Sequence, residues 1–428
     1  MNSLDLLKSL VSIPSVNPFQ YFSNPNGNGY VGLGAETEMN LFIGQYLADA
    51  GFEISRQELH PSIQLQVDGH VIEIPARWNT LAVRYPKGKW NGKSILLFGH
   101  SDTVDVKKGW ESDPFKVSSR TVDGHERWYG LGTNDMKGGL AAILNAVNNA
   151  QAQEYAIKIA LVVDEEFYSF GAEKLCESDF LQDVVLAIAP EIGDSLPNTK
   201  FGVSNNQLIG IGRTGREEFD VRVTGKACHG TDAFISKEAV NAVHESAKLQ
   251  VALLKDFEQI KRIYSAHDAE SVNSAFISYH QGGEVMLSVP DQASFVVDRT
   301  FLPDESPETE LLRLQKIVSE LQARGEIHPR TELRISSRPR PTPPCKSYIC
   351  RLDSPEIELI LKAIKGTSGS HSFFIGRSVA DENRVASRGI PTLTIGPVGA
   401  GSHTSEEWVD PLSVSRVAET FRSFISSL

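Results

Sequence analysis

The sequence predicts an α/β fold: a mostly parallel, mixed sheet flanked by helices, interrupted by an inserted α+β unit of four strands and two helices. Three observations predict it. KSILLFG (93–99), IKIALVVD (157–164), VVLAIAP (184–190) and PTLTIG (391–396) are rich in Val, Ile and Leu without alternation, as strands covered on both faces are. Helical patterns lie between them, and strands alternating with helices imply a parallel layer. Near Arg213 the pattern changes to period two. In GREEFDVRVTGK, Phe219, Val221 and Val223 alternate with Asp220, Arg222 and Thr224, the mark of a strand with one wet face.

Each element follows in order. The opening MNSLDLLKSLVSIPS carries Asp5 and Lys8 inside its apolar run and reads as an amphipathic helix, not a signal peptide. The Asn/Gly-rich stretch NPFQYFSNPNGNGYVGLG (17–34) reads as a mobile surface loop, with an active-site edge as the other reading. Leu41, Tyr46 and Leu47 belong to a helix that Gly51 ends. Leu140, Ile143, Leu144 and Val147 share one helical face after Gly138 and Gly139. Beyond the period-two strand come a helix around 237–256, strands near 273–280 and 294–300, a second amphipathic helix over 307–324, and the strand in TELRISSRP. The proline-rich RPRPTPPCKS (338–347) is a stiff connector. We therefore expect one domain from 1–213 and 339–428, with 214–338 inserted into it.

Composition narrows the function. A chain of 428 residues, 40% hydrophobic, has ample material for a core. A formal charge of −12, with no long basic cluster, argues against nucleic acid or an anionic membrane as partner and suits a cation site. The four cysteines, Cys176, Cys228, Cys345 and Cys350, form no C-x-x-C and read as reduced thiols. No stretch approaches the roughly 18 apolar residues of a membrane span. A cytoplasmic protein is expected.

Candidate metal ligands recur where strands end. In GHSDTVD, His100 and Asp102 stand two apart, so on a strand Asp102 can hydrogen-bond the imidazole nitrogen that faces away from a metal. In GLGTNDMKGG, Asp135 lies among glycines that permit close backbone approach; it could bridge two cations or cap a helix. In LVVDEEFYS, Glu165 and Glu166 face different directions, so one could bind metal while the other reaches a water; a solvated turn is the alternative. Glu191 follows the strand 184–190, and His403 sits in GAGSHTSEEWVD after the strand 391–396. A parallel sheet gathers its strand ends at one edge, so two histidines and three carboxylates would meet there. That N/O donor set, without thiolate, suits zinc, and also manganese or cobalt. Two such ions polarise a carbonyl and lower the pKa of a bound water from near 16 to about 7.

Taken in order, these motifs resemble the superfamily of aminoacylases, acetylornithine deacetylase, succinyl-diaminopimelate desuccinylase and glutamate carboxypeptidase. The likeness extends to LLKSLVSIPSVNP, VTGKACHG and GIPTLTIGP. It implies a dinuclear metal-dependent amide hydrolysis of an N-acyl amino acid or small peptide. By the same resemblance His100 and Glu191 hold one ion, Glu166 and His403 the other, and Asp135 bridges them through a residue followed by a cis peptide. Asp102 supports His100, and Glu165 is general base, then acid. The insertion is expected to form a homodimer, in which His229 of GKACHGT reaches a neighbouring site and stabilises the oxyanion; a turn-capping histidine is the plainer reading.

The sequence also departs from the family pattern. Leu287 stands where members often carry Asn. Arg299, a candidate substrate contact, falls one position early for an Asp-x-Arg whose arginine grips a substrate carboxylate, and alternation turns it to the opposite face unless a bulge intervenes. Asp381, Asn383, Arg384 and Arg388 are other candidate substrate contacts, or plain loop polarity. A ureido- or carbamoyl-amidohydrolase of similar fold is the competing enzyme reading. A non-catalytic binding homologue is the third, against which the intact Glu165 argues.

Overall fold

The computed structural model describes residues 1–18, 35–60, 63–67, 70–74, 76–191, 206–236, 238–283 and 286–428, so nearly all of the Asn/Gly-rich stretch lies outside the described residues. The chain divides into two units. The first comprises Met1–Gly212, Ile349–Gly376 and Ala380–Leu428; the second comprises Arg213–Tyr348 and Arg377–Val379.

In the first unit the four apolar segments form the middle of a nine-stranded sheet, in the order Ala156–Val162, Ser94–His100, Val184–Ala189, Thr392–Thr394, all parallel. Antiparallel strands flank them. Arg77–Arg84 pairs with Ala156–Val162 on one side, and Asn206–Arg213 pairs with Thr392–Thr394 on the other, so the sheet is mixed. Every residue of Ser94–His100 and Ala156–Val162 is buried. Leu96, Phe98, Ala160 and Val162 pack with Ala172, Leu175 and Val385, from the helices Phe170–Cys176 and Asp381–Ala386. Successive side chains point to opposite faces, so burial of Ile95, Leu97, Ile157 and Ile159 means that the second face is covered too. Each such side chain stabilises the fold by roughly 1.5–3 kcal/mol. Helix Pro411–Ser427 packs on both Gly138–Asn149 and Pro355–Ser368 in this unit.

Parallel strands end on the same side. His100, the 164–166 turn, Glu191 and the segment after Thr394 therefore share one rim. A small antiparallel sheet, whose strands include Gly399–Ala400 and Trp408–Val409, carries the His403 loop between those two strands.

The second unit is a four-stranded antiparallel sheet in the order Ala275–Gly282, Gln292–Phe301, Gly215–Thr224, Glu332–Ser337. Phe219, Val221 and Val223 point into a core with Leu249, Leu253 and Phe257 of helix Ala242–Ile260 and Leu314, Val318 and Leu321 of helix Pro307–Ala323. The first helix spans Ala242–Ile260 where 237–256 is expected, its start set by the Asn241 side chain, which accepts the His244 amide at 3.1 Å. Ser306 caps the second, with proline in its first turn. The amide of Arg216 donates to the Cys345 carbonyl at 2.9 Å and the Ser347 hydroxyl to that of Leu302 at 3.1 Å, so the proline-rich connector is tied to this unit.

Candidate metal centre

His100 is the last residue of its strand and is buried. Its Nε2 lies 3.0 Å from Asp135 Oδ1 and 4.0 Å from Glu191 Oε2. Its Nδ1 lies 2.9 Å from the backbone oxygen of Asp102 and 3.6 Å from that residue's Oδ1. The ring is thus oriented mainly by a carbonyl, not by the expected carboxylate. The strand stops at His100, so the alternation that would aim Asp102 at the ring no longer applies. The Asp102 carboxylate instead accepts the Asn17 amide at 2.7 Å and the backbone N–H groups of Glu165 and Glu166, each at 3.2 Å.

Asp135 sits in an irregular turn, Thr133–Lys137, at φ −124° and ψ 91°, and its peptide bond to Met136 is cis. It does not cap the helix that follows, which has no side-chain cap. Close approach is achieved by glycine: a Cβ on Gly139 would lie 1.7 Å from the Pro190 oxygen, so only Gly brings this helix against the strand end that leads to Glu191. A residue that sequence reasoning missed holds the turn from the other side. Buried Glu407 accepts the amides of Gly132 and Asn134 at 2.9 Å and of Asp135 at 3.0 Å. Nothing in the spacing of SEEWVD distinguishes Glu407 from exposed Glu406. Asn134 donates to the Ser402 hydroxyl at 2.8 Å, which ties the Asp135 turn to the loop of His403.

His403 adopts a left-handed φ of 64°. Its Nε2 lies 3.0 Å from Glu166 Oε2 and 3.4 Å from Asp135 Oδ2. Asp135 therefore turns one oxygen to each histidine. Three overlapping groups, His100–Asp135–Glu191, His100–Glu165–Glu166 and Asp135–Glu166–His403, each keep their donor atoms within 4.8 Å of one another. All five ligand candidates and Glu165 are thereby brought together.

Electrostatics follow from that crowding. Burial pushes the Glu165 carboxyl well above its ordinary range; His100 opposes the shift, and Asp381, Glu166 and Glu191 add to it. Glu166 is raised by burial and by Asp135, against the pull of His403. Burial pulls His100 down, but hydrogen bonding to Asp102 and Asp135 lifts it well above the usual imidazole value. Hydrogen bonds to Asp135 and Glu166 raise His403 to about 11.

The remaining candidates lie elsewhere or are engaged. His229, in the second unit, is exposed and starts a short turn; its Nδ1 lies 2.7 Å from the Thr231 hydroxyl and accepts the Thr231 amide at 3.4 Å. Arg299 is buried, 3.1 Å from Glu305 and 3.5 Å from Glu310, and donates to the Ser274 carbonyl at 3.2 Å. Its guanidinium is engaged by partners inside the second unit. Asn383 accepts the Ala380 amide at 2.9 Å at the start of its helix, and Arg384 lies 3.2 Å from Glu173. Both are buried in the first unit.

A largely parallel sheet whose strand ends collect two imidazoles and several carboxylates, carrying an antiparallel α+β insertion, has the architecture of a metallopeptidase fold. The chain belongs to peptidase family M20/M25/M40, whose pattern matches residues 96–427. Acetylornithine deacetylase of Buchnera aphidicola subsp. Acyrthosiphon pisum (strain Tuc7) is 23% identical over 259 residues, 60% of this chain and 57% of that protein, so the likeness spans little more than half of that relative. Among solved structures, aminopeptidase PepT from Bacillus cereus ATCC 10987 matches with a TM-score of 0.70 at 18% identity, covering 99% of this chain and 97% of that one. Bacillus subtilis YXEP, a dinuclear metal-binding peptidase of the M20 family, matches with a TM-score of 0.66 at 13% identity over 99% and 97%. At these identities the structural likeness is one of fold.

Proposed function

We propose that the protein is a dinuclear metal-dependent hydrolase that cleaves the amide bond of an N-acyl amino acid or small peptide. One observation carries the reading: Asp135 presents Oδ1 to His100 and Oδ2 to His403, at 3.0 and 3.4 Å, with Glu191 and Glu166 completing the two sides. The donors fit a pair of divalent ions. They are imidazole and carboxylate only, which favours zinc, with cobalt or manganese as substitutes. In this assignment His100 and Glu191 hold one ion, Glu166 and His403 the other, and Asp135 both.

The bound ions would polarise the scissile carbonyl and acidify water near neutral pH. Glu165 accepts the proton of the attacking water and returns it to the leaving nitrogen. A carboxyl held above its usual range is suited to carry that proton. Asp102 orients His100 through its backbone oxygen and holds the turn of Glu165 and Glu166. His229 is assigned to the oxyanion of a neighbouring protomer. Accepting the Thr231 amide at Nδ1 leaves Nε2 as the ring's donor. A homodimer is supported by apolar side chains left exposed on the second unit, Phe276 and Tyr279 on the edge strand Ala275–Gly282 and Val251 and Leu254 on helix Ala242–Ile260. The four cysteines are free thiols, which suits the cytoplasm. Among the described residues no helix is long and apolar enough to cross a membrane.

The substrate is tested by a screen of N-acetyl amino acids, dipeptides and ureido acids with zinc, cobalt and manganese. The mechanism is tested by Glu165→Gln. It should bind two metal equivalents and lose about 10²–10⁴ in kcat, the usual contribution of a general acid–base. Wild-type turnover in that variant would refute the assignment of the base.

A further inference from the structure

Behind the two-glutamate turn lies a chain of buried polar contacts that the reaction scheme above does not use. Arg77, the first residue of strand Arg77–Arg84, is buried. Its Nε lies 2.6 Å from Glu36 Oε2 and its Nη2 2.9 Å from Glu36 Oε1, a bidentate pair. The same Nη2 reaches Asp164 Oδ1 at 3.2 Å. Asn17 then donates from one nitrogen to two carboxylates, Asp164 Oδ1 at 3.1 Å and Asp102 Oδ2 at 2.7 Å. Asp102 in turn accepts the amides of Glu165 and Glu166.

Two features make this more than packing. Asp164, directly before the glutamates, has a φ of 70°, a left-handed conformation that aspartate tolerates better than most non-glycine residues. The Arg77 and Asn17 contacts converge on that residue, and its amide faces Glu36 Oε1 at 3.3 Å. The chain also terminates on the backbone of Glu165 and Glu166 themselves. Two buried carboxylates, Glu36 and Asp164, share this guanidinium, and buried Asp102 lies within its field, so weakening Arg77 sets like charges against each other immediately beneath the turn.

We propose that Arg77 is a positioning residue: through Asp164, Asn17 and Asp102 it fixes the backbone of the Glu165–Glu166 turn, so that one glutamate faces the ligand set and its neighbour faces the scissile bond. The inference rests on the dinuclear reading, and the experiment separates the two. Three variants are used: Arg77→Lys, the double variant Arg77→Met with Glu36→Gln, which avoids stranding a buried charge, and Asn17→Ala, which leaves the Arg77–Glu36 pair intact.

Hydrogen exchange on the metal-free protein is the first readout. Amides at 164–167 should exchange about tenfold faster or more in Asn17→Ala and in the double variant, with strand 94–100 unchanged. The second is the visible spectrum and affinity of the cobalt-loaded protein, with kcat and KM. We expect an altered spectrum and a loss of about 10–100-fold in cobalt affinity or kcat, with KM moving less than about twofold and Arg77→Lys partly restoring both. If the double variant does not fold, Asn17→Ala carries the test. A lower melting temperature with unchanged exchange at 164–167 and an unchanged cobalt spectrum would make Arg77 merely structural and overturn the proposal. Failure of the wild type to take up cobalt would sink the hydrolase reading instead, while the exchange data still decide whether the network holds the turn.

Discussion

In the second unit Arg299 is buried against Glu305 and Glu310, and Arg216 lies 2.9 Å from Asp298 on the neighbouring strand, so interior charge meets its opposite within the element pair that carries it. At the rim of the first unit Asp135, Glu165, Glu166 and Glu191 crowd together around two imidazoles. Both arrangements bury acids. In one, arginine neutralises them and the result is architecture. In the other, burial and mutual repulsion raise Glu165 and Glu166, the electrostatics of a site built for divalent cations. Buried charge by itself therefore says little about function; the sign of its neighbours says more.

The largest test of that contrast is Asp135→Ala. Removing the shared oxygen pair should cost at least about a thousandfold in kcat, given the several kcal/mol that metal polarisation supplies. Metal analysis should show both equivalents weakened. The metal-free variant should also melt lower than the metal-free wild type near neutral pH, because without metal Asp135 is paired with both imidazoles. Retention of both metal equivalents at wild-type affinity would mean that Asp135 is not the shared ligand.

Arg299→Met should do the converse. Breaking a buried pair costs about 3–5 kcal/mol, read by urea unfolding, with KM of the folded fraction unchanged. A raised KM at wild-type stability would return Arg299 to the substrate site.

Proton linkage sharpens the comparison further. Asp135 and Glu166 hold His403 protonated up to about 11 in the metal-free protein, above the ordinary imidazole value near 6.5. The folded value is the higher one, so its stabilising contribution is complete below about 6.5 and is lost as pH rises through about 11. If His100 and His403 are ligands, metal has to displace that proton and the one on His100. Cobalt or zinc uptake should therefore release protons and tighten with rising pH, measured by calorimetry in buffers of different ionisation enthalpy. Binding without proton release would place the ions elsewhere.

The smallest effect belongs to the exposed pair Arg324–Glu326, 2.6 Å apart with both side chains more than half exposed. Arg324→Ala should change stability by less than about 1 kcal/mol.

The sheet was legible because its signal is local. Continuous apolar runs of strand length suit strands covered on both faces, and the alternation of Phe219, Val221 and Val223 suits a strand covered on one. The ligand candidates were legible by extension, since parallel strands deliver their ends to a common rim. Asp102 was half legible: its proximity to His100 follows from spacing, but the use of its backbone oxygen follows from where the strand stops. The partners of Arg299, Asn383 and Arg384 were not legible, because an isolated polar residue carries no mark of its partner.

By itself, then, the sequence determined which segments are buried, where they end, and which acids and imidazoles stand at those ends, because periodicity and strand direction are properties of neighbours along the chain. Only the tertiary structure decided that Glu407 gathers the amides of the Asp135 turn, and that Arg77, Glu36, Asn17 and Asp164 meet behind the two glutamates. Those contacts join residues up to 275 positions apart. A hydrogen bond depends on a few tenths of an ångström and on angle, quantities that no hydrophobic pattern encodes.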